Sequence, residues 1–266
     1  MVYEIVVADP AKNITAFVLN PVADPAERAA AAKALLAFPG LGAEQVGFVI
    51  PPPPGEPGRR WRIEMMGGEF CGNAARSFGL YVARCQGLKG QVQVDIEISG
   101  MKGSVPVRVD VEAGLAEAAM PLPIAREILP YKGVDLPVYV FEGITQVIAP
   151  GIKPSEQAFY AIKALMDAGR PLDALGVMFW DSAAGIMTPA VYVYATESLV
   201  FESSCGSGSA ALGIWAARDM PDGEARLALN QPGGVIEVRV NKRGGEASGV
   251  SIGGPVYFLD APSSSG

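Results

Sequence analysis

A cysteine-containing motif occurs twice in this chain, and its spacing limits the architectures that the sequence can adopt. The first copy, "GGEFCGNAARSFG", contains Cys71, and the second, "ESSCGSGSAALG", contains Cys205. In both copies glycine follows the cysteine, and an Ala-rich run typical of a helix follows the glycine. The two cysteines are separated by 134 positions in a chain of 266 residues. This spacing predicts a duplicated unit with one cysteine in each half.

Strand and helix patterns in the first half are clear. Runs such as "YEIVVA", "ITAFVL", "VGFVI" and "VQVDIEI" predict strands, and residues 105–120 predict a hairpin that turns near Gly114. The segment "DPAERAAAAKALLAFPG" predicts a helix with Asp24 as N-cap, Pro25 at its first position and Gly40 after its end. The segment "MPLPIAREILP" interrupts the strand pattern at residues 120–130, where we expect the chain to cross into the second half.

The second half repeats this order. "VYVFEGITQVIA" predicts a strand pair, "PSEQAFYAIKALMDAG" predicts a helix, and the segment after Cys205 predicts another helix. We therefore predict an α/β (α+β) fold of two pseudo-symmetric β-rich halves, each wrapped around a long helix. The predicted domains are residues 1–120, joined by a last strand at 255–260, and residues 121–254.

Composition excludes several classes of function. The net charge is −7 and there is no long Lys/Arg cluster, which argues against nucleic acid or an anionic membrane as the main partner. The start, "MVYEIVVADP", lacks the pattern of a signal peptide, and no apolar run reaches the roughly 18 residues of a membrane span. We expect a cytoplasmic protein that acts on a small molecule, with its oligomeric state, a homodimer included, left open. The three cysteines follow no short metal-ligand spacing, so no metal site is predicted.

The chain contains no histidine, so mechanisms with an imidazole base are excluded. A cysteine just before a helix lies near unpaired amides and the positive end of the helix dipole, which favours the thiolate. The glycines Gly72, Gly206 and Gly208 allow close approach of the backbone, whose amides can hold a carboxylate. If the halves face each other, Cys71 and Cys205 can act on opposite faces of one α-carbon and invert it without a cofactor.

Other interpretations of the cysteines remain open at this point. The two cysteines could form a redox-active disulfide, and the chain could be a non-catalytic amino-acid binder or a thiol-based redox sensor. Cys85 has no glycine beside it, and we expect it to be a buried apolar residue of the first helix. Glu44 and Glu202 are either solvated or capping residues, or contacts of the substrate.

The motifs "CGNAAR" and "CGSGSAA" resemble the paired cysteine motifs of the cofactor-independent diaminopimelate epimerase family, and "GLGAEQVGFV" resembles a loop of that family. The order of motifs is similar over nearly the whole chain. The resemblance implies an active site between two halves, no cofactor, and Cys71 and Cys205 as acid and base. It further implies that a set of polar positions contacts the amino-acid substrate, namely Asn13, Gln45, Gly72, Asn73, Gly206 and Ser207.

The sequence departs from the diaminopimelate epimerases where those enzymes recognise a second amino-carboxylate group. "GITQ" and "ATES" stand at those places, and residues 171–217 contain no Lys or Arg. "EQVGF", "EFCGNA", "SCGSG" and "QPGG" are more similar to the histidine racemases of this superfamily, which supply D-histidine for opine-type metallophores. The resemblance thus implies a cofactor-independent amino-acid racemase acting on histidine, with diaminopimelate epimerase as the first alternative.

Overall fold

The computed structural model describes residues 3–56, 59–169 and 171–260. In this part of the chain, two compact units are present, divided between Ala119 and Met120 and again between Ile252 and Gly253. Each unit combines many strands with two helices, so the predicted strand-rich α+β class is confirmed. Within the described ranges, no helix is both long and apolar enough to cross a membrane.

The first unit alternates strands with two helices. Its elements are β1 (Ile5–Asp9), β2 (Thr15–Val18), α1 (Pro25–Leu36), β3 (Gln45–Ile50), β4 (Arg62–Met65), α2 (Gly72–Cys85), β5 (Gln91–Ile98), β6 (Val105–Asp110) and β7 (Leu115–Met120). The hairpin predicted near Gly114 is confirmed, because β6 and β7 pair antiparallel with Val107 opposite Ala118.

The second unit has the same kind of alternation. Its elements are β8 (Ala125–Tyr131), β9 (Val134–Phe141), β10 (Ile144–Pro150), α3 (Glu156–Asp167), β11 (Ala174–Asp181), β12 (Ile186–Val193), β13 (Ser198–Phe201), α4 (Gly206–Ala216), β14 (Gly223–Gln231), β15 (Gly234–Arg243) and β16 (Glu246–Pro255). After β16 the chain is back in the first unit, where β17 (Tyr257–Leu259) pairs antiparallel with β1.

Strand pairing follows one scheme in both units. In the first, β2 and β3 are parallel around α1, β3 and β4 are antiparallel, and β4 and β5 are parallel around α2. In the second, β10 and β11 are parallel around α3, β11 and β12 are antiparallel, and β12 and β14 are parallel around α4. The repeat seen in the sequence is therefore a repeat of topology.

A glycine at the same position of α2 and α4 brings each helix close to its sheet. Gly79 and Gly213 each lie eight residues after the capping cysteine. A Cβ on Gly79 would come within 2.5 Å of Val107 in β6, and a Cβ on Gly213 would come within 2.5 Å of Val238 in β15. Because neither position has room for a methyl group, both helices depend on glycine for their distance from the strands.

The helix boundaries follow local capping chemistry. The side chain of Asp24 accepts a hydrogen bond from the amide of Ala26 at 3.2 Å, and Pro25 is the first residue of α1, as predicted. Ser155 caps α3 by accepting from the amide of Ala158 at 3.1 Å. The predicted end at Gly40 was late, because α1 ends at Leu36, although Gly40 does adopt a positive φ of 84°.

Two further expectations were wrong. The segment expected only to interrupt the strands contains β8, whose residues are mostly exposed and therefore lack the alternating apolar pattern of a half-buried strand. Cys85, expected to be buried, is exposed at the last position of α2. The short strands β4 and β13, of four residues each, have no distinct pattern and were not predicted.

Candidate active site

Cys71 and Cys205 begin helices in nearly the same backbone conformation. Cys71 is the N-cap of α2 with φ −122° and ψ 113°, and Cys205 is the N-cap of α4 with φ −125° and ψ 116°. An extended N-cap places its side chain beside the first free amides of the helix. Accordingly, the amide of Ala74 donates to Cys71 Sγ at 3.5 Å. Both sulfurs thus stand at the positive end of a helix of 11 or more residues.

Four side chains form a continuous hydrogen-bonded row beside Cys71. Asn13 Nδ2 donates to Glu44 Oε2 at 2.8 Å, Asn73 Nδ2 donates to Asn13 Oδ1 at 3.2 Å, and Arg76 Nε donates to Asn73 Oδ1 at 3.1 Å. The Cys71 thiol lies 3.9 Å from Asn13 Oδ1. We call these five residues the Cys71 cluster.

The two charged ends of this row fix the orientation of both asparagine amides. A guanidinium can only donate, so Asn73 turns its oxygen to Arg76 and its nitrogen to Asn13. A carboxylate can only accept, so Asn13 turns its nitrogen to Glu44 and its oxygen to Cys71. The Cys71 sulfur therefore has a fixed acceptor in Asn13 Oδ1 and a donor in the amide of Ala74.

Arg76 connects this row to the returning chain. The side chain is fully buried, and Nη1 donates to the backbone oxygens of Gly254 at 3.1 Å and Pro255 at 3.0 Å. Arg62, the other arginine considered as a partner for a substrate carboxylate, forms ion pairs with Glu64 and Glu97. Both cations are thus engaged within the first unit.

Two more predicted contacts lie next to the Cys71 cluster. Gln45 is the first residue of β3 and directly follows Glu44, and its buried Oε1 has no hydrogen-bond partner among the described residues. Gly72 is the buried first residue of α2, immediately after Cys71. The predicted residues of the first half are therefore close together around the start of α2.

The backbone around Cys205 is held by a closed set of hydrogen bonds. The amide of Cys205 donates to Gln231 Oε1 at 2.9 Å, and Gln231 Nε2 donates to Ser209 Oγ at 2.9 Å. Ser209 Oγ donates back to the backbone oxygen of Cys205 at 2.6 Å. Because each group in this ring has a partner, the N-cap conformation of Cys205 is fixed from both sides.

A second set of contacts reaches the sulfur of Cys205. Ser207 Oγ lies 3.6 Å from Cys205 Sγ, and Gln146 Nε2 donates to Ser207 Oγ at 2.9 Å. We refer to Cys205 together with Gln146, Glu202, Ser207 and Gln231 as the Cys205 cluster. Gly206, the remaining predicted residue, is the first residue of α4.

The electrostatic setting of Cys205 differs from the one predicted. Burial raises the pKa of the Cys205 thiol well above its ordinary value, and the negative charge of Glu202 raises this pKa further. The amide of Gly208 and the hydroxyl of Ser207 act in the opposite direction, but they do not outweigh burial. The helix start therefore lowers the pKa of Cys205 as predicted, but the burial of this residue, which is only 6% exposed, outweighs that effect and the net result favours the thiol.

Comparison with known proteins identifies the family of this chain. A family model described as the histidine racemase CntK N-terminal domain matches residues 3–260. The chain belongs to the histidine racemase family. A histidine racemase of Fusobacterium nucleatum is 32% identical over 227 residues, covering 82% of this chain and 80% of that protein. A histidine racemase of Staphylococcus aureus is 26% identical over 239 residues, covering 86% of this chain and 85% of that protein.

Solved structures show a related fold for this histidine racemase family member. A probable proline racemase from Agrobacterium radiobacter aligns with a TM-score of 0.67 and 13% identity, covering 98% of this chain and 93% of the other. At this identity the likeness concerns the fold. Family membership makes the chain an isomerase of the amino-acid racemase class, which confirms the predicted enzyme class.

Several residues of the two clusters were not predicted as site residues. Gln231 is the first residue of the motif "QPGG", and Gln146 is the last residue of "GITQ", which stands where the diaminopimelate epimerases recognise a second amino-carboxylate group. Both side chains are buried, and for Gln146 the signal that could have identified it is a polar residue within the otherwise apolar strand β10. Arg76 was considered only as a cation for the substrate, whereas it donates to backbone oxygens and to Asn73.

Proposed function

We propose that this family member interconverts L- and D-histidine without a cofactor, and that Cys71 and Cys205 exchange protons with the α-carbon. The observation that carries the proposal is the equivalence of the two cysteines, which cap topologically matching helices in nearly identical conformations. An inversion needs one acid and one base of similar chemistry, so that either enantiomer can be the substrate.

The chemistry balances over one turnover. A thiolate removes the α-proton from one face and becomes a thiol, while the other thiol protonates the α-carbon from the opposite face and becomes a thiolate. Because the raised pKa keeps Cys205 protonated near neutral pH, Cys205 starts as the proton donor. The mechanism requires that both sulfurs reach the α-carbon of one bound amino acid, in a single active site to which both halves contribute. In this proposal, one domain comprises residues 1–120 together with residues 255–260, and the other comprises residues 121–254.

The helix starts offer binding groups for the common part of an amino acid. The first amides of α2 and α4, at Gly72, Asn73, Gly206 and Ser207, are suited to hold the α-carboxylate. Glu202, whose charge acts on Cys205, is suited to accept from the α-ammonium group. Asn13, Glu44 and Gln45 then remain for the side chain of the substrate, to which they offer amide and carboxylate groups.

Two observations favour histidine over a substrate with a second carboxylate. The relatives that match most of the chain are histidine racemases. In addition, residues 171–217 contain no Lys or Arg, and Arg62 and Arg76 are engaged elsewhere. Desolvating an unpaired carboxylate costs several kcal/mol, which disfavours diaminopimelate and glutamate by orders of magnitude. By the same resemblance, the D-histidine formed is a building block for an opine-type metallophore.

Competing substrates in deuterium oxide test this proposal. L-histidine should exchange its α-proton and racemise with a kcat/KM far above that of diaminopimelate. The reverse order would overturn the histidine assignment and leave the cysteine mechanism intact.

Mild oxidation tests whether the two cysteines act in one site. It should produce a Cys71–Cys205 disulfide with reversible loss of activity. If peptide mapping found another oxidation product, the proposed shared site would be contradicted.

A further inference from the structure

Gln146 is a buried amide in an apolar strand, and its burial reduces the stability of the fold. It is 0% exposed in β10, whose sequence is "ITQVIAP". Its Oε1 is buried and has no hydrogen-bond partner among the described residues. A buried acceptor without a partner costs about 1–3 kcal/mol, so an apolar side chain of the same size would be better for stability alone.

The neighbouring strand is shaped to admit this amide. Gly176 of β11 lies opposite Gln146 in the parallel pair, and a Cβ on Gly176 would come within 2.0 Å of Gln146 Oε1. Any other residue at position 176 would displace the amide. The local structure thus makes room for a polar group that the core does not need.

The useful end of the amide is Nε2, which donates to Ser207 Oγ at 2.9 Å. A hydroxyl has a single hydrogen, and it rotates to suit its partners. With one lone pair of Ser207 occupied by Gln146, the hydroxyl hydrogen remains available for Cys205 Sγ at 3.6 Å. A sulfur that has lost its proton can only accept, so this hydrogen is the group that can stabilise it.

We propose that Gln146 is a positioning residue that holds Ser207 so that its hydroxyl donates to the sulfur of Cys205 whenever that sulfur carries a negative charge. Gln146 acts through Ser207 and does not touch the reacting atoms. The inference rests on the proposed role of Cys205 as a proton-transfer group. It explains how a cysteine that is buried beside a carboxylate can still serve as a base.

Charged groups near Cys205 come from few elements. Glu202, from the segment leading into α4, disfavours the thiolate. Among the elements packed against α4, β10 has no ionisable residue, and β11 has Asp181 at its exposed last position. The strand β15 also packs against α4, and it carries Glu237, Arg239, Lys242 and Arg243. The Lys242 ammonium donates to backbone oxygens at the other end of α4.

The test measures alkylation of Cys205 by iodoacetamide as a function of pH, with peptide mapping to separate the three cysteines. Ser207→Ala should slow alkylation at pH 8 about tenfold, because a hydrogen bond to a charged group is lost. Gln146→Met should slow it about threefold, and Gln146→Glu should slow it more, because a carboxylate competes for the Ser207 hydrogen. Gly176→Ala, which displaces the amide, should resemble Gln146→Met.

A double variant and a stability measurement separate this role from a structural one. Gln146→Met should add nothing in the Ser207→Ala background, and it should leave the melting temperature unchanged or raise it. If Gln146→Met slowed alkylation equally with and without Ser207, or left it at the wild-type rate, the inference would be wrong. The control is Val147→Ala, a core truncation in the same strand, which should lower the melting temperature without changing the pH profile. The pH profile of alkylation is measured without substrate and does not depend on catalysis. If Cys205 took no part in the reaction, the variants would still change this profile, but their kcat would equal that of the wild type.

Discussion

The clusters around Cys71 and Cys205 share a backbone and differ in their side chains. Both cysteines cap a helix at the same point of the same topology, with φ and ψ within a few degrees. Cys71 is partly exposed and faces an amide row with a guanidinium at one end, whereas Cys205 is buried and faces a hydroxyl and a carboxylate. The comparison shows that the backbone supplies position, while side chains from other elements set the proton affinity.

The largest expected effect comes from removing one sulfur at a time. Cys71→Ala and Cys205→Ala should each reduce racemisation by about three orders of magnitude or more, since each direction needs both groups. If the two sulfurs serve opposite faces, each variant should still exchange the α-proton of one enantiomer with deuterium, and the enantiomers should differ between the variants. Exchange of the same enantiomer in both variants would show that the clusters are not equivalent in function.

Arg76 tests whether the Cys71 cluster depends on its buried cation. Arg76→Met leaves Asn73 Oδ1 and the backbone oxygens of residues 254 and 255 without their donors, so Asn73 and Asn13 can reorient. A misplacement of this kind should lower kcat on the order of 100-fold, with a smaller change in KM. Steady-state kinetics of the folded variant provide the measurement.

Lys242 is the matched control in the second unit. It is a buried cation whose Nζ donates to the backbone oxygens of Ala217, Arg218 and Met220 at 2.6–2.8 Å. These oxygens lie at the C-terminal end of α4, at the opposite end of the helix from the N-cap Cys205. Lys242→Met should reduce the free energy of unfolding by about 3 kcal/mol and leave kcat nearly unchanged. Equal kinetic losses in both variants would mean that Arg76 has only a structural role.

Glu202 tests the origin of the high pKa of Cys205. Glu202→Gln removes a negative charge that disfavours the thiolate, so the pKa of Cys205 should fall toward its ordinary value. Alkylation of Cys205 at pH 8 should become about fivefold faster. The same substitution in the Cys71 cluster, Glu44→Gln, should leave the rate of Cys205 alkylation unchanged. A slower reaction in Glu202→Gln would show that the carboxylate helps to form the thiolate.

The smallest effect is expected for Cys85, the cysteine that belongs to neither cluster. It is exposed at the end of α2 and is separated from the helix start by the whole length of the helix. Cys85→Ala should leave turnover in both directions within about twofold of wild type, as is usual for exposed surface substitutions. A larger loss of activity would mean that a third thiol takes part in the reaction.

The sequence by itself determined the repeat, the helix starts and the chemical type of the site. Short-range patterns are sufficient for these features, because an N-cap and the glycine after it act on neighbouring residues. The absence of histidine excludes an imidazole base, and the two matched motifs indicate cysteines as the proton-transfer groups. The residues around the cysteines resemble those of histidine racemases, and the match to that family confirms the resemblance.

Only the tertiary structure decided which groups surround each sulfur. Arg76 meets backbone oxygens 178 and 179 positions away, and Gln146 meets Ser207 at a distance of 61 positions, so these contacts depend on strand register and close packing. The pKa of Cys205 is likewise a property of the fold, because burial outweighs the helix start that the sequence indicates. The burial of a side chain depends on many residues that are distant in the sequence, so a local sequence pattern cannot predict it.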